Sequence, residues 1–141
     1  MTTETNIERA RDFIHAFNTN SWDRLERTLS PQLQYFEVAT KATADGSTTF
    51  IELCRGWKSI MSDCTGKITD AHGSGNTVIL EITWSGTQTG TMQTPMGEHP
   101  ASGQFQTIQG VQILTVKENQ ITSIKNHFDL LSMLTQFGAL G

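Results

Sequence analysis

Near its end the 141-residue chain places His127 and Asp129 on either side of Phe128, an imidazole and a carboxylate two residues apart in a strand-like run. Residues two apart on a strand share a face, so the ring lies within reach of the carboxylate, and the pair fits a general acid/base with an orienting partner. The segment behind them is apolar, with Leu130, Leu131, Met133, Leu134, Phe137 and Leu140. An ionisable group at such a junction can be buried, which is how acid–base groups are tuned. Plainer roles fit the same residues. Asp129 can be the N-cap of the terminal segment, and His127 a hydrogen-bonded structural histidine. On a regular strand both belong to the odd set with Ile121, Ser123 and Lys125, and a bulge near the strand's end is needed to turn them into a cavity.

Other chemistry-bearing residues form no recognisable site. His15, His72 and His99 have no partners at metal-ligand spacing in the sequence, so no metal is expected. Cys54 and Cys64, ten apart with no second pair, read as buried thiols. The glycines lack the strand-to-helix setting of a phosphate loop, and no G-x-S-x-G motif occurs. Trp57 and Trp84 are large apolar surfaces suited to a core or to the wall of a substrate pocket.

The elements that must hold these residues follow from periodicity. Ile7, Ala10, Phe13, Ile14 and Phe17 recur at helical intervals after a Thr5/Glu8 capping box, and Ser21 or Asn20 opens a shorter helix through Trp22 and Leu25 that Ser30-Pro31 stops. A short strand carries Leu33, Tyr35, Glu37 and Ala39, and a loop covers 41–47. Thr49 and Glu52 suggest a second capping box, opening a helix with Phe50, Leu53, Cys54, Trp57, Ile60 and Met61 on one stripe. Beyond Thr65 the pattern becomes β. Strands are expected at 67–72 and 77–91 with Val78, Leu80, Ile82 and Trp84 alternating, then at 104–116 after a Pro/Gly loop at 94–103, and at 121–128 after a tight turn at 117–120.

Three helices followed by an antiparallel meander give an α+β domain over residues 1–141, with helices packed on one face of a curved sheet. A hydrophobic share of 36% and 12 glycines suit an ordinary core, and this length buries roughly 70% of the unfolded surface. A net charge of −4 with scattered lysines and arginines speaks against a nucleic-acid partner. No membrane span or signal peptide is read in the sequence, so a cytoplasmic location is expected.

Three stretches carry a family resemblance. Trp84-Ser85-Gly86-Thr87-Gln88-Thr89-Gly90, the loop Thr94-Pro95-Met96-Gly97 with Pro100-Ala101-Ser102-Gly103, and Phe128-Asp129 with Leu134-Thr135-Gln136-Phe137-Gly138 resemble the SnoaL-like polyketide cyclase (ester cyclase) group of the NTF2-like superfamily. The resemblance implies an NTF2-like cone, a homodimer through the sheet, and a deep, mostly apolar pocket for a small hydrophobic molecule. It further implies cofactor-free acid–base chemistry, either aldol cyclisation or isomerisation of a carbonyl compound. Asp129 matches the catalytic aspartate, with His127 as its partner or as an enolate stabiliser and Trp57 and Trp84 as pocket wall. Two positions depart from the pattern: Gln88 stands where relatives carry His, and His127 where many carry Tyr. The superfamily also holds epoxide hydrolases and non-catalytic binders, so a non-catalytic small-molecule carrier or an epoxide hydrolase-like activity is the alternative.

Overall fold

The computed structural model describes residues 2–140. Helix α1 spans Thr3–Asn18, and its N-cap is Thr2, whose hydroxyl accepts from the Thr5 backbone N–H, so the helix starts a turn earlier than the Thr5/Glu8 box suggests. Helix α2 (Trp22–Thr28) ends where Leu29 turns extended and opens strand β1 (Leu29–Glu37). The expected loop contains a short strand, β2 (Thr43–Asp45). Helix α3 (Ser47–Ile60) starts behind Gly46 at φ 91°, with no side-chain cap, so the Thr49/Glu52 box is not used.

The β half follows as β3 (Thr65–Ser74), β4 (Thr77–Thr87), a small hairpin β5 (Met92–Thr94) and β6 (Gly97–His99), then β7 (Phe105–Lys117) and β8 (Gln120–Phe128). Glu118 and Asn119 both take positive φ, 50° and 65°, as the two central residues of a tight primed turn do. The terminal apolar run is a fourth helix, α4 (Leu130–Phe137), closed by Gly138 in the left-handed region.

Six strands form one sheet in the order β2-β1-β8-β7-β4-β3. All neighbours are antiparallel except β1 and β8, which run parallel. This is the expected α+β cone, with the helices on the sheet's concave face. That face carries alternate residues such as Val78, Leu80 and Ile82 of β4 and Ile108, Leu114 and Val116 of β7, all buried.

Helix α1 supplies Ala10, Phe13, Ile14 and Phe17 to the same core. The hairpin β5–β6 replaces an irregular loop because Gln88, fully buried, donates to the carbonyls of Gly90 and His99, while the His99 ring pairs with Thr94 Oγ1 at 2.8 Å. Cys54 and Cys64 are both free and buried. Among the described residues no helix is long and apolar enough to cross a membrane.

Candidate functional site

The helices stand off the sheet enough to leave a cavity. Its helical wall is Phe13 and Phe17 of α1 with Phe50, Cys54 and Trp57 of α3, and Met133 of α4 closes one end. The sheet side brings Trp84 from β4, Gln106, Ile108 and Gln112 from β7, Asn126 and Phe128 from β8, and Tyr35 from β1. The space open to the centre of a water-sized sphere is about 60 Å³. At about 10–15 Å³ per water this holds on the order of five water-sized groups.

The aromatic walls meet at steep angles: Trp57 and Phe128 are 5.5 Å apart and nearly perpendicular, as are Phe17 and Trp84 at 5.6 Å. Trp84 fits because both flanking strands present glycine beside it. A Cβ on Gly66 would lie 2.7 Å from its ring, and one on Gly110 would lie 3.2 Å away.

At one end the cavity becomes polar. Glu37, only 2% exposed, lies behind Tyr35 and Trp57. Its Oε2 accepts from the Tyr35 hydroxyl at 2.5 Å and from the Trp57 indole at 3.2 Å, and its Oε1 accepts from Thr40 at 2.5 Å. Tyr35 has one proton and gives it to Glu37, so Asn126 must present its amide N–H to the phenol oxygen, which it does at 3.0 Å. That fixes the Asn126 orientation and leaves Oδ1 buried without a partner, as are Gln106 Oε1 and Gln112 Oε1. At Asn126 the unsatisfied atom is an acceptor.

Burial, then the neighbouring Glu37 charge, push the Tyr35 hydroxyl far above its ordinary range, so it acts as a neutral donor. Burial pushes up both cavity thiols, Cys64 to about 11. They are therefore inert as nucleophiles near neutral pH.

Of the four residues that the sequence marks as a site, Trp57 and Trp84 line this cavity, whereas His127 and Asp129 do not. The reason is strand parity. A bulge does interrupt the β7–β8 pairing, but it lies at the start of β8: Thr115 faces Ser123 while Val116 faces Ile121. Past Thr122 the strand is regular, so Ile124, Asn126 and Phe128 face inward and Lys125 and His127 outward. His127 therefore stands opposite Val111 on the outer face. Asp129 is exposed at the head of α4, where its carboxylate accepts from Ser132 N–H at 3.0 Å. The catalytic expectation for this pair thus meets a capping geometry.

Tyr35, Glu37 and Asn126 are not among the residues that the sequence marks as a site. The inward parity of Tyr35 and Glu37 on β1 was visible, but the parallel partner that brings Asn126 to them was not.

The fold also gives His72 partners that spacing does not reveal. A bulge at Thr69 turns Asp70 and His72 to the outer face beside Glu81. There His72 Nε2 lies 2.9 Å from Glu81 and 3.4 Å from Asp70, and the three ligating atoms fall within 4.8 Å of one another. All three residues are exposed.

A curved sheet under helices, with a largely apolar cavity between them, is the α+β cone of ketosteroid isomerase-like folds. Residues 8–137 match the SnoaL-like polyketide cyclase family, and the chain belongs to it.

Among solved structures, TsrD from Streptomyces laurentii is similar with a TM-score of 0.84 at 22% identity, covering 99% of this chain and 98% of that one. A protein with a ketosteroid isomerase-like fold from Catenulispora acidiphila, in complex with trimethylamine, matches with a TM-score of 0.79 at 20% identity, covering 93% and 92%. An LEH-like epoxide hydrolase of M. tuberculosis gives 0.75 at 18% identity, covering 97% and 92%. At these identities the likeness is one of fold. No curated protein matches the sequence.

Proposed function

We propose that this chain takes a small, largely apolar molecule into the cavity between α3 and the sheet and holds it by a polar group set against Asn126, without a cofactor. The observation that carries this reading is Asn126 Oδ1, buried in the wall and unpartnered while its amide nitrogen is committed to Tyr35. A buried acceptor without a donor costs about 1–3 kcal/mol, and a ligand that satisfies it recovers that cost on binding. Apolar walls with a few oriented polar groups are the usual composition of such sites.

An NMR titration with small alcohols and ketones, following the indole N–H signals of Trp57 and Trp84, tests it. Both signals should shift, and Asn126→Leu should weaken polar ligands more than apolar ones. Shifts confined to residues of the outer face, such as Ile113, would sink the reading.

A second reading is the acid–base turnover of the family, aldol cyclisation or isomerisation of a carbonyl compound with Asp129 as base and His127 beside it. It is favoured by Asp129 following directly on Phe128, whose ring lines the cavity, at the end of the last long strand. For Asp129 to act there it must leave its bond to Ser132. Asp129→Asn, which keeps a capping oxygen, should then cut turnover on a substrate found by screening roughly 10²–10⁴-fold with the melting temperature unchanged. Undiminished turnover would assign Asp129 to capping alone.

The homodimer through the sheet belongs to the same proposal. The outer face of β1 and β7 carries half-buried Phe36 and Val111 with exposed Ile113, beside an open cleft of about 500 Å³.

A further inference from the structure

From the buried Glu37 carboxylate behind the cavity and the aromatic character of its wall we infer that its ligand is a small organic cation, an alkylated ammonium of about five heavy atoms. This rests on the reading that the cavity is the ligand site, and it names the class of molecule that fits. Three features converge on it.

The first is an unbalanced negative charge. Glu37 is 2% exposed and accepts from three donors, Tyr35, Trp57 and Thr40, all of them uncharged. Among the described residues no lysine, arginine or histidine pairs with it within 4 Å, since the ion pairs are those of Arg9 with Asp12 and of His72 with Asp70 and Glu81. A buried carboxylate of this kind is stabilised by a cation placed nearby at low dielectric.

The second feature is the aromatic lining. Tyr35 and Phe50, 4.7 Å apart, and the perpendicular pair Trp57 and Phe128 surround the polar end. Ring faces attract cations and not neutral alkyl groups of the same shape, tryptophan most strongly. The Trp57 N–H is bonded to Glu37, which draws electron density toward the ring and strengthens that attraction.

The third feature is the sign of the unsatisfied groups. Asn126 Oδ1, Gln106 Oε1 and Gln112 Oε1 are all buried acceptors, and no charged side chain lines the cavity. Lys58, whose ammonium sits 4.4 Å over the ring of Phe17, donates to the Cys64 carbonyl at 2.6 Å. The wall is aromatic with side-chain amides at one end, and its volume of about 60 Å³ is on the scale of a compact ammonium head.

The test compares tetramethylammonium with tert-butanol, a neutral molecule of similar size that carries a hydroxyl donor, and with acetone, a small carbonyl compound. Chemical-shift titration of the Trp57 indole N–H at fixed ionic strength reads all three. Tetramethylammonium should bind at least tenfold more tightly than either neutral probe, a difference of about 1.4 kcal/mol. Glu37→Gln should bring that ratio toward one. If this variant fails to fold, the ratio measured on the unaltered protein still decides.

Equal binding, or tighter binding of tert-butanol or acetone, overturns the cation and leaves the cavity reading standing. No movement of the Trp57 signal with any probe up to its solubility overturns both.

Discussion

Asn126 donates its amide N–H to the Tyr35 hydroxyl, 3.0 Å away and 91 residues distant in the chain, because that hydroxyl has already given its own proton to Glu37. Tyr35→Phe removes the centre of this relay, leaving Glu37 short of a donor and Asn126 short of an acceptor, both buried. Urea denaturation should show a loss of about 1–3 kcal/mol, well beyond the small change expected from deleting an exposed hydroxyl. A loss under half a kcal/mol would mean that water or a rearranged side chain takes over.

Gly66 and Trp84 make a second coupled pair. A methyl at residue 66 would stand 2.7 and 2.9 Å from ring carbons of Trp84, too close for the ring to remain. Gly66→Ala should cost roughly 1–3 kcal/mol by overpacking and shift the tryptophan emission as the ring swings into the cavity. Unchanged emission and stability would show that the strand yields instead.

At the head of α4, Asp129→Ala should lower stability by about 1 kcal/mol through loss of the bond to Ser132, and Asp129→Asn should not. Thermal melts of the two variants separate capping from any other role of the carboxylate.

The outer cluster sets a pH dependence. The hydrogen bond that the His72 ring donates to Glu81, then the charge of Asp70, raise the His72 pKa above its ordinary value near 6.5. The folded protein thus holds this proton more tightly than the unfolded chain. The contribution to stability is in place below the ordinary value and is lost as pH rises through the raised folded value. An NMR titration of His72 should show the raised midpoint, and Glu81→Gln should bring it down; an unmoved midpoint would refute the assignment.

The proposed dimer is checked by Ile113→Glu, which sets a like charge opposite its copy on the outer face. Light scattering should show a dimer for the unaltered chain and a monomer for the variant. A monomer in both cases removes the dimer.

Most of the architecture could be read in the sequence because its cues are local. The heptad-like stripe of Phe50, Cys54 and Trp57, the alternation of Val78, Leu80 and Ile82, and the tight turn at Glu118-Asn119 each act over a few residues. Misreadings arose where distant partners decide. The bulge that sets the parity of β8 sits at Thr122, which places Asn126 inside and His127 outside, and one residue of slip reverses every later side chain.

Hydrogen bonds from Gln88 organise a hairpin where two prolines and two glycines suggested a loop. Glu37 was legible as an inward residue, but its role depends on Trp57 and Thr40, which reach it from α3 and from the turn after β1.

The parallel pairing of β1 with β8 has a consequence in time. Leu29–Glu37 leaves the ribosome well before its sheet neighbour Gln120–Phe128. Such distant contacts form slowly and only once both partners exist. Until then Glu37 and Tyr35 have no Asn126, and β1 has an open edge. A nascent chain that stops before β8 carries α1 and α3 with their aromatic side chains, yet it lacks Asn126, Phe128 and the Met133 end of the cavity. The cavity wall thus closes only when β8 joins the sheet, so its assembly is tied to one long-range pairing.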